Sequence, residues 1–236
     1  MSARLEYASE HHQFRDMVRD FVQQTVVPAH EGWEKAGCVD RSLFTAAGKL
    51  GLLAFSVPEE FGGAGVEDFR YNAIVVEELQ RAGAAAEAIG LSLQNDIVLP
   101  YLTDLTTPEQ KQRWLPGVVT GETVIGIAMT EPGAGSDLAG IRTTAVRDGD
   151  HYVLNGAKTF FSNGQTGDLF VVAARTGPGT RACPCLSSTR RRRASAAAGT
   201  WRRSVCTPRT PANSASPICG FRWTICSARK AAASTN

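Results

Sequence analysis

The residues best suited to chemistry lie in one stretch, positions 124–137, where an apolar run passes into a loop of proline and glycines. The apolar half predicts a β-strand, and the proline and glycines that follow cannot continue one. Glycines in such a loop let backbone N–H groups approach a ligand closely. The hydroxyls of Thr130 and Ser136 add directional hydrogen bonds. The combination suits an anionic or a polar planar ligand.

Three simpler interpretations compete for this loop. A dinucleotide-binding fingerprint would need glycine at the position of Leu138. A nucleophile elbow would need glycine two residues on either side of Ser136, where Ala134 and Leu138 stand. An ordinary surface turn stays open on the pattern alone.

Other polar groups give weaker signals. The chain has four histidines, His11, His12, His30 and His151, and none has metal-ligand spacing, so we expect no metal site. The acid pairs Glu59-Glu60 and Glu77-Glu78 predict solvated or capping groups rather than a catalytic pair. The aromatic pair Phe160 and Phe161 lies in a stretch that predicts an alternating strand, and its pattern alone indicates core residues.

The octapeptide Thr-Glu-Pro-Gly-Ala-Gly-Ser-Asp at 130–137 resembles the signature of the acyl-CoA dehydrogenase family. A second motif of that family follows at 154–164, Leu-Asn-Gly-Ala-Lys-Thr-Phe-Phe-Ser-Asn-Gly. The likeness covers about residues 9–180 and is closest to the long-chain branch. It implies an α+β fold in which an N-terminal all-helical domain precedes a middle β-domain, with the family's C-terminal helical domain missing.

The resemblance also implies an activity. The family oxidises acyl-CoA thioesters to trans-2-enoyl-CoA with FAD, and a glutamate general base removes the α-proton while the β-hydrogen leaves as hydride. Hydrogen bonds to the thioester oxygen acidify that α-proton. The implied partners are acyl-CoA as substrate and electron-transfer flavoprotein as electron acceptor, and the family forms homo-oligomers.

Residue by residue, the resemblance assigns flavin contacts to Ile127, Ala128, Met129, Thr130, Gly135, Ser136, Phe160, Phe161 and Ser162. Ser136 would also touch the acyl-CoA. Phe160 stands where the family usually has tryptophan, and Ser162 replaces the commoner threonine but keeps a hydroxyl. The general-base glutamate belongs to the family's C-terminal domain, so no catalytic residue is assigned here. We therefore expect little or no dehydrogenase activity from this chain.

The elements that position these residues follow from periodicity and caps. We predict a helix that Ser9 caps and that ends near Pro28, and a second helix over 42–50 with Gly51 just past its end. Asp68 predicts the cap of a helix that buries Tyr71, Ile74, Val75 and Leu79. An alanine-rich helix follows, interrupted near Pro100. Thr107, Pro108 and Gln110 form a capping box for a helix that ends before Pro116.

From about Thr123 the apolar period changes from helical to alternating. Strands are predicted over 141–146 and 152–154, joined by a hairpin turn at 148–150, and over 170–174. The predicted domains are a helical domain at 1–122, a partial middle β-barrel domain at 123–180 and a tail at 181–236.

The tail differs sharply from the rest of the chain in composition. Residues 181–236 contain eleven Lys and Arg and no Asp or Glu, whereas residues 1–180 hold 14 basic and 23 acidic residues. Five of the six cysteines lie in the tail, namely Cys183, Cys185, Cys206, Cys219 and Cys226. The remaining one, Cys38, agrees with a reduced cytosolic protein. Poor periodicity predicts that the tail is largely disordered or misplaced.

A shifted reading frame explains that composition. Taking the last base of each codon with the first two of the next turns Trp223 and Thr224 into an aspartate codon without choice. Continuing permits Asn-Leu-Leu-Gly-Glu-Glu-Gly-Arg-Gly-Phe, which resembles a segment at the start of the family's C-terminal domain. Residues 181–189 likewise permit Gly-Met-Ser-Leu-Phe-Val-Val-Asp, the strand expected next. We infer a frameshift near Thr180.

Two broader expectations complete the sequence interpretation. No apolar run is long enough to span a bilayer and the N-terminus lacks a signal-peptide core, which predicts a soluble cytoplasmic protein. The alternative function is a non-catalytic remnant whose arginine-rich tail binds nucleic acid, and salt-sensitive DNA binding that requires 181–236 would identify it.

Overall fold

The computed structural model describes residues 6–148 and 151–177, together with the backbone of two further strands, Cys183–Ser188 and Phe221–Cys226. The chain divides into two compact units, Met1–Ile125 and Gly126–Asn236. The first, the helical unit, is built from helices, and the second, the β-unit, is built on strands. The predicted order of a helical domain followed by a β-domain is confirmed.

The helices of the first unit are α1 (Ser9–Phe21), α2 (Val27–Ala36), α3 (Ser42–Lys49), α4 (Arg70–Arg81), α5 (Ala85–Ser92), α6 (Leu99–Leu105) and α7 (Pro108–Val119). A π-helical turn, Val22–Val26, joins α1 to α2, and a second, Leu93–Val98, joins α5 to α6. No helix in the described part of the chain is long and apolar enough to cross a membrane.

Pro28 and Pro116 lie inside helices that they were predicted to end. The predicted helix end near Pro28 is wrong, because Pro28 is the second residue of α2, directly after a π turn. A π turn shifts the hydrogen-bond register, so the missing N–H of proline falls in a first turn that tolerates it. The same arrangement at Pro100 confirms the predicted interruption. Pro116 lies inside α7, contrary to prediction, because burial of Leu115 and Val118 holds the last turn.

The predicted helix caps have mixed outcomes. Thr107 and Gln110 form the predicted capping box, with the Gln110 N–H donating to Thr107 Oγ1 at 3.3 Å and the Thr107 N–H to Gln110 Oε1 at 3.0 Å. Asp68 Oδ1 accepts the N–H of Arg70 at 3.0 Å, at the start of α4. Ser9 does not cap α1. The cap residue is Ala8, whose N–H donates to the buried His11 Nδ1 at 3.2 Å.

Glu78 of the helical unit has a structural role. Glu78 is 4% exposed and accepts from Arg15 at 2.9 Å, Arg19 at 3.1 Å and Arg81 at 3.1 Å. The interpretation of Glu78 as a solvated group is therefore wrong, since its carboxylate joins α1 to α4. A buried charge needs such partners because water no longer stabilises it.

The strands of the β-unit form two three-stranded sheets. They are β1 (Ile125–Ala128), β2 (Thr144–Asp148), β3 (His151–Gly156), β4 (Leu169–Ala174), β5 (Cys183–Ser188) and β6 (Phe221–Cys226). One sheet has the order β1-β4-β5 and the other β2-β3-β6. In the predicted hairpin, β2 and β3 run antiparallel with Asp148 opposite His151 and Thr144 opposite Asn155. The strand predicted from 141 begins only at Thr144.

The tail is not uniformly without structure. Strand β5 pairs antiparallel with β4, and β6 pairs antiparallel with β3. Two segments of the tail are therefore paired strands, and disorder or misplacement of the tail stays a prediction. The remaining positions of the tail, including the arginines at 190–193 on which the nucleic-acid alternative depends, lie outside the described residues.

Candidate functional site

The 130–137 loop begins where β1 ends and is fixed at both of its ends. The Glu131 N–H donates to the Ala134 carbonyl at 2.8 Å, and the Ala134 N–H donates back to the Glu131 carbonyl at 3.1 Å. This pair closes a tight turn over Pro132 and Gly133. Asp137 Oδ1 accepts the N–H of Ala139 at 3.0 Å and so caps a 3₁₀ turn, Leu138–Gly140. The loop therefore has a defined shape.

The tip of this loop is open. Gly133, Gly135 and Ser136 are exposed, and a Cβ added to either glycine would meet no atom within 4 Å. Within the described residues, none of the three donates its backbone N–H to another carbonyl. Unused N–H donors facing open space suit an anionic or polar ligand. The tip thus offers backbone donors to an anionic or polar ligand.

A second segment lies against the start of the loop. The Thr159 N–H donates to the Thr130 carbonyl at 2.9 Å, and Lys158 Nζ donates to the Met129 carbonyl at 2.9 Å. A Cβ at Gly126 would lie 3.1 Å from the Ser162 carbonyl oxygen, so the backbones nearly touch there too. The structure therefore brings together 127–130 and 160–162, which the resemblance assigned to one site.

The two aromatic residues of this segment have opposite environments. Phe161 packs on the β-unit core, with its ring edge-on to Phe170 at a centroid distance of 5.7 Å. Phe160 is 78% exposed and has a φ of 54°, in the left-handed region. The core prediction is confirmed for Phe161 and wrong for Phe160. The predicted strand is also wrong here, because a left-handed residue turns the chain.

A buried carboxylate organises the site. Glu131 is 7% exposed, and its side chain accepts from the Arg142 N–H at 2.7 Å, the Thr143 N–H at 2.9 Å, the Thr143 hydroxyl and Lys158 Nζ at 2.8 Å. These bonds explain why β2 starts late: the backbone donors of Arg142 and Thr143 point to a side chain instead of a neighbouring strand.

The electrostatics follow from these contacts. Burial alone would raise the pKa of Glu131, but the hydrogen bonds from Lys158, Thr143 and the backbone outweigh it and lower the pKa from 4.5 to about 2. Burial lowers the pKa of Lys158 from its ordinary 10.5, and the bond to Glu131 opposes that change. Glu131 is thus an anion at neutral pH with both oxygens engaged. It cannot serve as a free general base.

Glu131, Thr143 and Lys158 were missed by sequence reasoning. The available signal was an acidic residue in the first motif and, in the second, Lys158 as its one charged residue. Their partnership spans two motifs, so spacing within either motif does not reveal it. Within residues 6–148 and 151–177, no group of three or more His, Cys, Asp or Glu side chains is placed to hold a metal ion.

The other predicted site residues differ in how far their side chains are exposed. Ala128 is 4% exposed and belongs to the core, so only its backbone can face a ligand. Ile127, Met129, Thr130 and Ser162 are half-buried. Gly135 and Ser136 lie farther along the loop, and the structure describes no contact between them and Phe160. Contact of these residues with flavin stays a prediction.

Comparisons with known proteins agree with both units. The family model for the acyl-CoA dehydrogenase N-terminal domain matches residues 8–122, and that for the middle domain matches residues 126–197. The mitochondrial long-chain specific acyl-CoA dehydrogenase of Rattus norvegicus is 46% identical over 170 residues, which are 72% of this chain and 39% of that protein.

Solved structures give the same result. An acyl-CoA dehydrogenase from Geobacillus kaustophilus matches with a TM-score of 0.75 at 43% identity, over 79% of this chain and 50% of that one. A glutaryl-CoA dehydrogenase from Mycobacterium smegmatis in complex with FADH2 matches with a TM-score of 0.69 at 29% identity, over 77% and 46%. This chain spans half or less of each relative. The acyl-CoA dehydrogenases are FAD-dependent, which confirms the predicted cofactor at the level of the family. This chain belongs to the acyl-CoA dehydrogenase family.

Proposed function

We propose that this chain carries the flavin-contacting and acyl-CoA-contacting loops of a long-chain acyl-CoA dehydrogenase, which converts fatty acyl-CoA thioesters to trans-2-enoyl-CoA. The observation that carries the proposal is the meeting of the two motifs, where the Thr159 N–H donates to the Thr130 carbonyl at 2.9 Å beside the exposed Phe160 ring. The identity to the rat long-chain relative supports the long-chain assignment.

Each part of the site has a task that its chemistry suits. The open tip at Gly135 and Ser136 offers backbone donors and a hydroxyl to polar edges, and the Ser136 hydroxyl also reaches toward acyl-CoA. Phe160 offers a flat apolar face that excludes water from a planar ring. Bound FAD supplies the hydride-accepting chemistry, and the protein supplies its placement.

The described residues provide placement rather than proton transfer. Of the carboxylates in the 130–137 loop, Glu131 has both oxygens engaged and Asp137 caps a backbone N–H. Glu131 is therefore not a free base, and neither carboxylate of this loop is assigned that role. The proposed dehydrogenation depends on a general base, whose loss typically costs about 10²–10⁴ in rate.

The proposed partners come from the family. They are an acyl-CoA substrate, electron-transfer flavoprotein as the electron acceptor, and further copies of the same chain. The cytoplasmic location and the frameshift near Thr180 stay predictions, and cell fractionation and sequencing of the locus test them.

The test of the proposed function is an FAD titration of the purified chain, followed by flavin fluorescence, with an enoyl-CoA assay in parallel. Phe160→Ala should weaken FAD binding about three- to tenfold, the amount that an aromatic contact contributes. Phe69→Ala is the matched control, because Phe69 is 63% exposed but lies in the helical unit. Absence of FAD binding, or equal losses in both variants, would reject the proposal.

A further inference from the structure

Lys158 and Glu131 form a buried ion pair that no step of the proposed chemistry uses. Their side chains are 9% and 6% exposed, and Lys158 Nζ lies 2.8 Å from Glu131 Oε1. Replacing a buried pair by apolar residues of similar size is often neutral for stability, so stability alone does not explain such a pair. The two charges do offer a fixed geometry that apolar side chains lack.

The pair ties three separate segments at one point. Lys158 Nζ bonds both the Glu131 carboxylate and the Met129 carbonyl, while Glu131 also takes the backbone N–H groups of Arg142 and Thr143. The next residue, Thr159, donates its N–H to the Thr130 carbonyl. Two consecutive residues of this segment thus bond two consecutive residues just after β1: Lys158 bonds Met129, and Thr159 bonds Thr130.

The chain bends immediately after this attachment. Phe160 has a φ of 54° and Asn163 a φ of 58°. A left-handed conformation costs a residue other than glycine about 1–2 kcal/mol, and it persists only where surrounding contacts impose it. Phe160 cannot impose it through packing, because its side chain is 78% exposed. The constraint therefore has to come from neighbouring residues. The Thr159 N–H is bonded to the Thr130 carbonyl, and the Phe161 ring packs on Phe170. The Lys158–Glu131 pair is the buried charged group that anchors the same segment just before the turn.

We propose that Lys158 is a positioning residue, whose ion pair with Glu131 holds the turn at 158–163 in the conformation that presents the Phe160 ring to a planar cofactor. The proposal deepens the proposed function and rests on it for the identity of the ligand. Lys158 itself does not touch the ligand. It acts through the backbone of Thr159 and Phe160.

Two variants separate positioning from simple stabilisation. Lys158→Met removes the ammonium group and leaves Glu131 buried without its counter-charge, so the β-unit loses stability. The double variant Glu131→Gln with Lys158→Met removes both charges and should recover part of that stability, since the glutamine oxygen still accepts from Thr143 but its NH2 group cannot accept the Arg142 N–H. If the pair serves stability alone, the Thr159 amide should regain its protection relative to the rest of the β-unit. If the pair positions the turn, that protection should stay low. Lys49→Met is the matched control, since Lys49 is exposed at the end of α3.

The readout is hydrogen exchange of the Thr159 amide in the full chain, measured relative to the Leu154 amide in β3. In both Lys158 variants we expect the Thr159 amide to exchange at least about tenfold faster relative to Leu154, with no change in Lys49→Met. Unchanged relative exchange in a folded double variant would overturn the proposal. Failure of the double variant to fold would also overturn it, because the charges would then serve the fold itself.

FAD titration of the same proteins distinguishes this proposal from the one on which it rests. If the unaltered chain binds FAD, the double variant should bind it at least about tenfold more weakly. Equal affinity would reject the positioning role. If the unaltered chain does not bind FAD, the proposed function fails, and the exchange of the Thr159 amide still decides whether the pair holds the turn.

Discussion

The helical unit and the β-unit differ in what fills their cores. The helical unit buries large side chains completely, among them Phe44, Leu79 and Leu115. The described core cluster of the β-unit has six buried residues, and three of them are alanines, so the Phe170 ring is its largest member. The β-unit also buries Ile141 and Leu169, but its described core cluster centres on one aromatic ring among small residues.

The buried carboxylates of the two units also differ in what they hold in place. In the helical unit, the buried Glu78 joins two helices through arginines, which serves the fold alone. In the β-unit, the buried Glu131 holds a loop whose tip and whose neighbouring Phe160 remain exposed. One buried carboxylate thus joins two helices, whereas the other fixes the base of a loop whose tip stays exposed.

Truncating one buried phenylalanine in each unit should give the largest difference between the two units. Phe170→Ala should cost the β-unit about 3–5 kcal/mol, the usual cost of deleting a buried ring, and should remove hydrogen-exchange protection across β2, β3 and β4. Phe44→Ala, at a residue that is 0% exposed, should cost a similar amount but leave the helical unit folded. Hydrogen exchange by mass spectrometry reports both units in one sample. Retained protection in Phe170→Ala would contradict the account.

Acid should weaken the β-unit through Glu131. The pKa of this carboxyl falls from 4.5 to about 2 in the folded state, so its contribution is fully present above pH 4.5 and is lost as the pH falls toward 2. Local unfolding free energies from exchange at β2 and β3 across this window should show the loss. The Glu131→Gln variant should be less stable than the unaltered chain at neutral pH. Its β-unit should no longer lose the stability that Glu131 loses as the pH falls from 4.5 toward 2.

Close packing around Phe170 gives a smaller effect. A Cβ at Gly167 would lie 2.4 Å from Phe170 Cζ and 2.8 Å from the Asn163 carbonyl oxygen, whereas a Cβ at Gly133 would meet nothing within 4 Å. Gly167→Ala should therefore cost about 1–3 kcal/mol, the usual cost of overpacking. Gly133→Ala, the control, should change stability little. Denaturant unfolding of the β-unit measures both, and equal effects would argue against the packing described.

The helical unit has a pH response of opposite sign. The hydrogen bond between His30 Nδ1 and Glu87 Oε1, at 2.8 Å, raises the pKa of His30 above 6.5. Stability from this pair is fully present below pH 6.5 and is lost as the pH rises through the higher folded pKa. His30→Gln should abolish this decline in the helical unit and leave the β-unit unaffected. Thermal unfolding at several pH values tests it.

The sequence predicted what depends on near neighbours. Helical periodicity located α3 and α4, and the Thr107 capping box was read correctly because its partners are three residues apart. The tolerance of Pro28 and Pro116 was missed because it depends on π geometry and on tertiary burial. A left-handed φ at Phe160 leaves no signal in residue type, since glycine would be the expected choice.

The candidate site divides in the same way. The motifs identified both segments, but the Glu131–Lys158 pair joins residues that only the fold brings together. The strand pairing of 183–188 and 221–226 was missed for a related reason, because a neighbouring strand can order a segment that lacks a period of its own.

The most direct test of the central claim, that the Phe160 turn is shaped for a ligand and not for the fold, is to measure stability and FAD affinity together in Phe160→Gly. Glycine adopts a φ of 54° without strain, and the exposed ring contributes little packing. We therefore expect the β-unit to gain about 0.5–1 kcal/mol of stability while FAD binding weakens about three- to tenfold. A loss of stability with unchanged FAD binding would contradict the account.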